Sequence, residues 1–132
     1  MNFSLNLCRV LNMAYAAFQI ERIEKYLKAR KKKFEGRPFM GGYCIFIDEK
    51  MAIGLDVDKK TGRDRLMLRI GESAMAEALT KAACRPMDIT GKPMKGFVFV
   101  DDVGFDEDVD LAYWINLAVA FNPLAKKHKK KY

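Results

Sequence analysis

The sequence predicts a single α+β domain whose elements follow in the order helix, three strands, helix, two strands, helix. Apolar residues recur at helical spacing in three segments, and β-rich stretches with period-two alternation lie between them. The length agrees, because 132 residues with 50% hydrophobic side chains suffice for one core and are too few for two.

The three predicted helices each have an apolar stripe. The first covers residues 13–33, with Asn12 as its N-cap. The second covers the alanine-rich segment 74–83, which Ser73 can cap. The third begins after an acidic cluster, as the positive end of a helix favours, and its stripe comprises Leu111, Trp114, Ile115, Ala118 and Phe121.

Five segments predict strands, and the first three are close enough in sequence to form an antiparallel meander. In the third, Leu66, Leu68 and Ile70 alternate with Arg65, Met67 and Arg69, so the two sets face opposite sides. Gly36 and Pro38 predict the end of the first helix, and no strand is predicted before Tyr43. The predicted strands are 43–47, 51–55, 65–70, 87–89 and 97–100.

The net charge of +7 is unevenly distributed. Ten of the 24 basic residues lie in two runs, and the remaining 14 face 17 acidic residues, which leaves a net charge of −3. The chain is therefore an acidic body with two basic patches. The runs are Lys28, Arg30, Lys31, Lys32 and Lys33, and at the C-terminus Lys126, Lys127, Lys129, Lys130 and Lys131.

The three cysteines, Cys8, Cys44 and Cys84, predict neither a disulfide framework nor a zinc site, because their number is odd and no CxxC spacing occurs. Buried, reduced thiols fit a cytoplasmic protein, and no apolar stretch reaches the roughly 20 residues that a membrane helix needs. We expect neither a cofactor nor a metal. The acids between Asp101 and Asp110 lack EF-hand spacing and are better explained as the start of a helix.

No catalytic residue is predicted. The single histidine, His128, lies among the lysines of the C-terminal tail, where no nucleophile accompanies it. The candidate anion- or partner-binding residues are instead Arg65, Arg69, Lys92 and Lys95, which could bind a carboxylate or phosphate if the fold brings them together. The alternative is a solvated sheet face, with these cations paired to Asp64, Asp88 or Asp101.

Three strings in the sequence are similar to motifs of the TfoX/Sxy N-terminal domain family. Residues 39–43 with Lys50-Met51 resemble its MFGG…GKM hairpin, and residues 64–71 (DRLMLRIG) resemble DRLMVRVG. The longest string, residues 85–101 (RPMDITGKPMKGFVFVD), resembles RPMDFTGRPMKGFVYVD. The chain is identified as a member of this family over residues 13–122, with residues 1–12 as an extension and 123–132 as a basic tail.

The resemblance implies a two-layer fold, an antiparallel sheet packed with helices, similar to the type III secretion chaperone architecture. Full-length members are regulators of bacterial natural competence that carry a second domain, for which this chain has no room. The regulatory role is therefore not carried over directly.

Two functions are compatible with these observations. The first is a non-catalytic regulatory or interaction domain that binds a protein partner or itself. In this case the tail lysines 126, 127, 129, 130 and 131 could add non-specific nucleic-acid contacts or serve only as a solubilising terminus. The second is a small-ligand or anion binder, or an enzyme, that uses a pocket of Arg, Lys and Asp residues. No membrane partner is expected.

Overall fold

The computed structural model describes residues 17–39, 41–88 and 91–126. The predicted cap Asn12, the extension 1–12 and the tail lysines after Lys126 lie outside these residues. The helices are α1 (Ala17–Ala29), α2 (Glu72–Ala78) and α3 (Asp108–Phe121), and the strands are β1 (Glu35–Phe39), β2 (Gly42–Ile47), β3 (Lys50–Val57), β4 (Asp64–Arg69), β5 (Cys84–Asp88) and β6 (Pro93–Asp101). Short 3₁₀ turns cover Asp102–Gly104 and Asn122–Leu124.

The strands of the described chain form one antiparallel sheet in the order β1-β2-β3-β4-β6-β5. The first four strands lie in the sheet in the order in which they follow in sequence, because the turns that join them are short and short turns connect adjacent antiparallel strands. The β5–β6 hairpin then adds to the sheet through β6, which pairs with β4. The predicted α+β class and antiparallel sheet are confirmed.

The sheet contains one strand more than the sequence predicts, the edge strand β1. It pairs with β2 from Glu35 opposite Phe46 to Phe39 opposite Gly42. Pro38 was a reason to expect no strand here, but proline is tolerated at a sheet edge, where a missing N–H costs no ladder bond. Gly36 leaves the space that the ring of Tyr43 occupies.

The helix boundaries also differ from the prediction. Helix α1 ends at Ala29 and not at residue 33, because the backbone turns at Lys31, whose φ is +58°. Helix α2 covers residues 72–78 instead of 74–83, and its N-cap is Gly71 at φ +83° with no side-chain cap, so Ser73 does not cap it. A side chain at position 71 would collide with the ring of Phe121.

The three helices of the described residues pack on one face of the sheet. Leu66 and Leu68 are fully buried on this face, as their alternation predicts, and Trp114 and Ile115 of α3 lie in the same cluster. Burial of each such side chain contributes roughly 1.5–3 kcal/mol. The second face of the sheet, which no helix of the described chain covers, is called the open face below.

Candidate functional site on the open face

The open face carries a row of paired residues that crosses all six strands. The register places one residue of each strand opposite the next, so side chains of the row share this face. The row is Arg37, Cys44, Gly54, Met67, Phe99 and Arg85. Gly54 makes room for the Met67 side chain, which would otherwise meet a Cβ at 2.7 Å.

Arginines lie over the aromatic rings of this face. The guanidinium carbon of Arg65 lies 3.8 Å from the centre of the Phe99 ring, and that of Arg85 lies 5.1 Å from it. Arg37 covers Phe46 at 4.1 Å. Such stacks are electrostatically favourable, and the arginine side chains cover the apolar rings while their guanidinium groups keep polar contacts.

A cluster of two arginines and three aspartates connects four adjacent strands, and we call it the Arg–Asp cluster. Arg65 binds Asp56 with two hydrogen bonds, from Nε at 3.0 Å and from Nη2 at 2.8 Å. Arg85 Nη2 donates to Asp58 at 2.9 Å and to Asp101 at 3.0 Å. Two-pronged guanidinium–carboxylate pairs are among the strongest polar contacts in proteins.

The electrostatics of the cluster favour its charged form. The backbone N–H of Lys60 donates to Asp58 at 2.9 Å and, with the charges of Arg65 and Arg85, lowers the pKa of that carboxyl group. The hydrogen bonds to Asp56 raise the pKa of Arg65. These two pKa shifts favour the charged forms of Asp58 and Arg65, so neither group is poised to exchange protons near neutral pH, as a general acid or base must be.

The four predicted binding residues lie in three different environments. Arg65 belongs to the Arg–Asp cluster, where it forms ion pairs with Asp56 and Asp58. Of the expected partners Asp64, Asp88 and Asp101, Asp101 lies opposite Arg65 in the register and its charge raises the pKa of Arg65. Arg69 lies four residues after Arg65, at the end of β4, where its guanidinium carbon is 5.6 Å from the centre of the Phe97 ring and outside the cluster. Lys92 and Lys95 are exposed at the start of β6.

Arg69 also contacts the beginning of the C-terminal tail. Its Nη2 donates to the backbone oxygen of Lys126 at 3.1 Å, and Ala125 just before it is buried. Lys126 therefore lies beside the open face. Lys126 is the one tail lysine of the predicted set that the structure describes, and Lys127, Lys129, Lys130 and Lys131 lie outside it.

The two described cysteines are buried on opposite faces. Burial raises the pKa of Cys44 on the open face to about 12 and that of Cys84 in the core to about 11. Both are thus protonated and poorly nucleophilic at neutral pH. Among the described residues, no group of three or more His, Cys, Asp or Glu side chains is placed so that it could hold a metal ion, and no helix is long and apolar enough to cross a membrane.

The profile of the TfoX N-terminal domain family matches residues 25–122, about three quarters of the chain. The chain belongs to this family. Its fold is similar to the crystal structure of a protein from Pseudomonas syringae, with a TM-score of 0.53 and 12% sequence identity over 74% of this chain and 92% of that chain. At this identity, the likeness shows a shared fold and nothing about activity. The comparison with curated proteins found no match.

In this TfoX N-terminal domain, sequence reasoning missed one surface, which we call the Phe39 patch: Arg37, Phe39 and Phe46. Phe39 is 44% exposed, and its ring meets that of Phe46 edge to face at 6.0 Å. The patch was missed because β1 was not predicted. A signal existed, since Glu35, Arg37 and Phe39 alternate with the small residues Gly36 and Pro38.

Proposed function

We propose that this TfoX N-terminal domain is a non-catalytic interaction domain that binds a protein through the Phe39 patch. The observation that carries the proposal is a half-open aromatic pair with an arginine over it, on a sheet face that no described helix covers. Aromatic residues and arginine are enriched at the centres of protein interfaces.

The remainder of the open face supports binding more than chemistry. The donors of Arg65 are committed to Asp56. Asp58 and Asp101 are committed to Arg85. Such a face offers a preorganised, charge-balanced surface beside the Phe39 patch. Family membership supports a regulatory role in the cytoplasm as the setting for that binding.

Site-specific photo-crosslinking tests the proposal. A photoreactive phenylalanine analogue at position 39 is compared with the same analogue at position 18, because Phe18 is 59% exposed on α1, on the opposite side of the sheet. In the native host, we expect a discrete product from position 39 and none from position 18. A product of twice the chain mass indicates self-association, and another mass indicates a different partner.

The charge-reversing variant Arg37→Glu distinguishes crosslinking to a specific partner from crosslinking to any nearby protein. Arg37 is more than half exposed and bridges to Glu35 at 3.0 Å, so its replacement leaves the fold intact. We expect the product from position 39 to disappear in this variant. Equal products from positions 39 and 18, or a product that Arg37→Glu leaves unchanged, would contradict the proposal.

The alternative, a small-ligand binder or enzyme, is favoured by one observation. Within the described residues, Arg69, Lys92 and Lys95 form no ion pair with a carboxylate. If thermal-shift measurements with nucleotides, sugar phosphates and organic acids show stabilisation that Arg69→Gln abolishes, the small-ligand function replaces the interaction domain.

A further inference from the structure

A lysine precedes the Phe39 patch on the same face of the chain. Phe34 packs against the core, and Lys33 and Glu35 on either side of it are exposed. Side chains of an extended chain alternate between two faces, so Lys33 lies on the face that carries Arg37 and Phe39. It is six positions before Phe39, which corresponds to about 20 Å of extended chain. An extended segment bound along β1 can therefore contact both.

Lys33 is the last of three consecutive exposed lysines, Lys31, Lys32 and Lys33, which we call the lysine run. Within the part of the chain that the structure describes, none of the three forms an ion pair with a carboxylate. The backbone N–H of Lys32 donates to the oxygen of Leu27 at 3.0 Å. This bond attaches the run to the end of α1, so its charges have a fixed place beside β1.

The backbone at Lys31 is a second reason to look for a role of this charge. Its φ is +58°, in the left-handed region that the residue after a helix usually fills with glycine. Lysine is disfavoured there, because its Cβ lies too close to the following carbonyl oxygen. Such strain is found where the surface is used for function. A lysine in a position suited to glycine therefore favours a use of its charge outside the fold.

The surface around the Phe39 patch keeps an excess of positive charge. The acid within β1, Glu35, pairs with Arg37 at 3.0 Å. In the β2–β3 turn, Asp48 pairs with Lys50 at 3.5 Å. The three lysines of the run then stand against Glu49 of the same turn, which leaves this surface with a net positive charge. An acidic partner complements it.

We propose that the protein partner of the Phe39 patch binds through an acidic segment. The proposal rests on the function proposed above and specifies its partner. Carboxylates of the segment meet the lysine run, where exposed charges steer association, and an apolar side chain packs on the half-open ring of Phe39. The backbone of nucleic acid fits this surface less well, because its closely spaced phosphates would meet the carboxylates of Glu35 and Asp48.

The chemistry of the partner is tested by locating the residue that crosslinks to position 39. The photoreactive analogue is activated in the native host, and mass spectrometry of the product identifies the attached residue. Within roughly eight residues on either side of it, we expect acids to outnumber bases, because a segment of this length spans the distance from Lys33 to Phe39.

Neutralisation of the lysine run tests the contact from the side of this protein. The combined variant Lys31→Gln, Lys32→Gln and Lys33→Gln should lower the yield of the product from position 39 by about threefold or more. Each exposed ion pair contributes a factor of about 1.4 to 5 in affinity, and three are lost together.

The matched control removes the same charge elsewhere. The combined variant Lys59→Gln, Lys92→Gln and Lys95→Gln replaces three exposed lysines in the β3–β4 turn and near the start of β6. Its net charge equals that of the first variant, so a general effect of charge would lower both yields. We expect the control to give the wild-type yield.

Lys31→Gly separates binding from folding. Glycine relieves the left-handed backbone at this position, so the urea midpoint of unfolding should rise. The yield from position 39 should nevertheless fall, because one lysine of the run is lost. A variant that is more stable and is captured less has lost a contact and not its fold.

Three results would overturn the acidic partner and leave the Phe39 patch in place. The first is a product from position 39 whose attached segment is neutral or basic. The second is a yield that the lysine-run variant leaves unchanged or that the control lowers equally. The third, in an extract of the host, is a DNA duplex that competes for the product better than polyglutamate at the same charge concentration. Absence of any product from position 39 would instead refute the proposed function, and this proposal with it.

Discussion

At the scale of single residues, Lys50 shows how the hairpin is attached to helix α3. It is only 7% exposed, and its Nζ donates to the backbone oxygen of Asn122 at 2.8 Å. The Asn122 side chain in turn donates to the oxygen of Ile47 at 3.0 Å. A cation at the carboxyl end of a helix satisfies carbonyls that have no partner within the helix.

Lys50→Met should lower the free energy of unfolding by about 2 kcal/mol, because a charged hydrogen bond is lost and the Asn122 oxygen stays buried. Urea denaturation monitored by circular dichroism measures the change. Lys59→Met, at an exposed position of the β3–β4 turn, should change stability by less than about 0.5 kcal/mol. Equal losses in the two variants would show that Lys50 has no such role.

The buried thiol of Cys44 should lower the free energy of unfolding at high pH. Burial raises the pKa of its thiol from 9.0 to about 12, and this effect outweighs the positive charge of Arg37, which lowers the pKa. Above pH 9 the unfolded chain therefore releases this proton while the folded chain keeps it, and folding becomes less favourable as pH rises. The loss is at most about 1.4 kcal/mol per pH unit for this thiol.

The measurement is the free energy of unfolding at pH 8 and pH 10 for the wild type and for Cys44→Ala. Stability should fall less steeply in the variant, because its other ionisable groups are unchanged. Identical pH slopes would refute a buried, protonated Cys44.

At the scale of elements, both edges of the sheet carry a proline. Pro38 lies in β1 and Pro86 in β5, the two outer strands. Proline cannot donate a backbone hydrogen bond, so it interrupts the template that an exposed edge offers to another chain. The prolines thus protect both edges from backbone pairing with another chain. The Phe39 patch stays accessible, because it would bind a partner through side chains.

Pro38→Val and Pro86→Val should therefore promote edge-to-edge association, since valine restores the N–H and favours strands. Light scattering during concentration of the protein should show larger species in both variants than in the wild type. The control is Pro123→Ala in the exposed 3₁₀ turn after α3, away from the sheet. If all three variants behave like the wild type, the prolines do not protect the edges.

At the scale of the whole molecule, the Arg–Asp cluster fixes the relative register of four strands. Asp56 of β3 faces Arg65 of β4, which faces Asp101 of β6, and Arg85 of β5 closes the series. A slip of one strand would place like charges opposite each other or move the pair to the core face. Burial of apolar side chains decides which face of each strand points to the core. The Arg–Asp cluster adds to this by favouring one pairing register between neighbouring strands.

Arg65→Leu should reduce stability by about 1–3 kcal/mol, because it leaves Asp56 without its cation and removes one of the two cations beside Asp58. The Arg65 side chain is 17% exposed, against 55% for Arg37. Arg37→Leu should accordingly cost less than about 1 kcal/mol. Thermal or urea unfolding compares the two variants, and a larger cost at Arg37 would contradict this role of the cluster.

Most elements and the family could be predicted from the sequence, because local patterns encode them. Alternation in residues 65–70 assigned Leu66 and Leu68 to the core, and the string 85–101 identified the family. Edge strand β1 was not predicted, because its five residues are largely exposed and their alternation is not a hydrophobic one. Its existence depends on pairing with β2.

The candidate site was only partly predictable. The sequence marked Arg65, Arg69, Lys92 and Lys95 as one group, since all four are cations near strands. The structure separates Arg65, which is neutralised by Asp56, from the other three. The deciding quantity is the register between β3 and β4, and sequence spacing across a turn does not specify it.

By itself, the sequence determined the α+β class, the family and the concentration of positive charge in two runs, because composition and short-range periodicity suffice for these. Only the tertiary structure decided which charges cancel. Carboxylates of β3, β6 and the β3–β4 turn meet Arg65 and Arg85 through contacts between residues 9 to 27 positions apart. Folding also brings Lys126 to Arg69 over 57 positions, a contact that no local sequence pattern indicates.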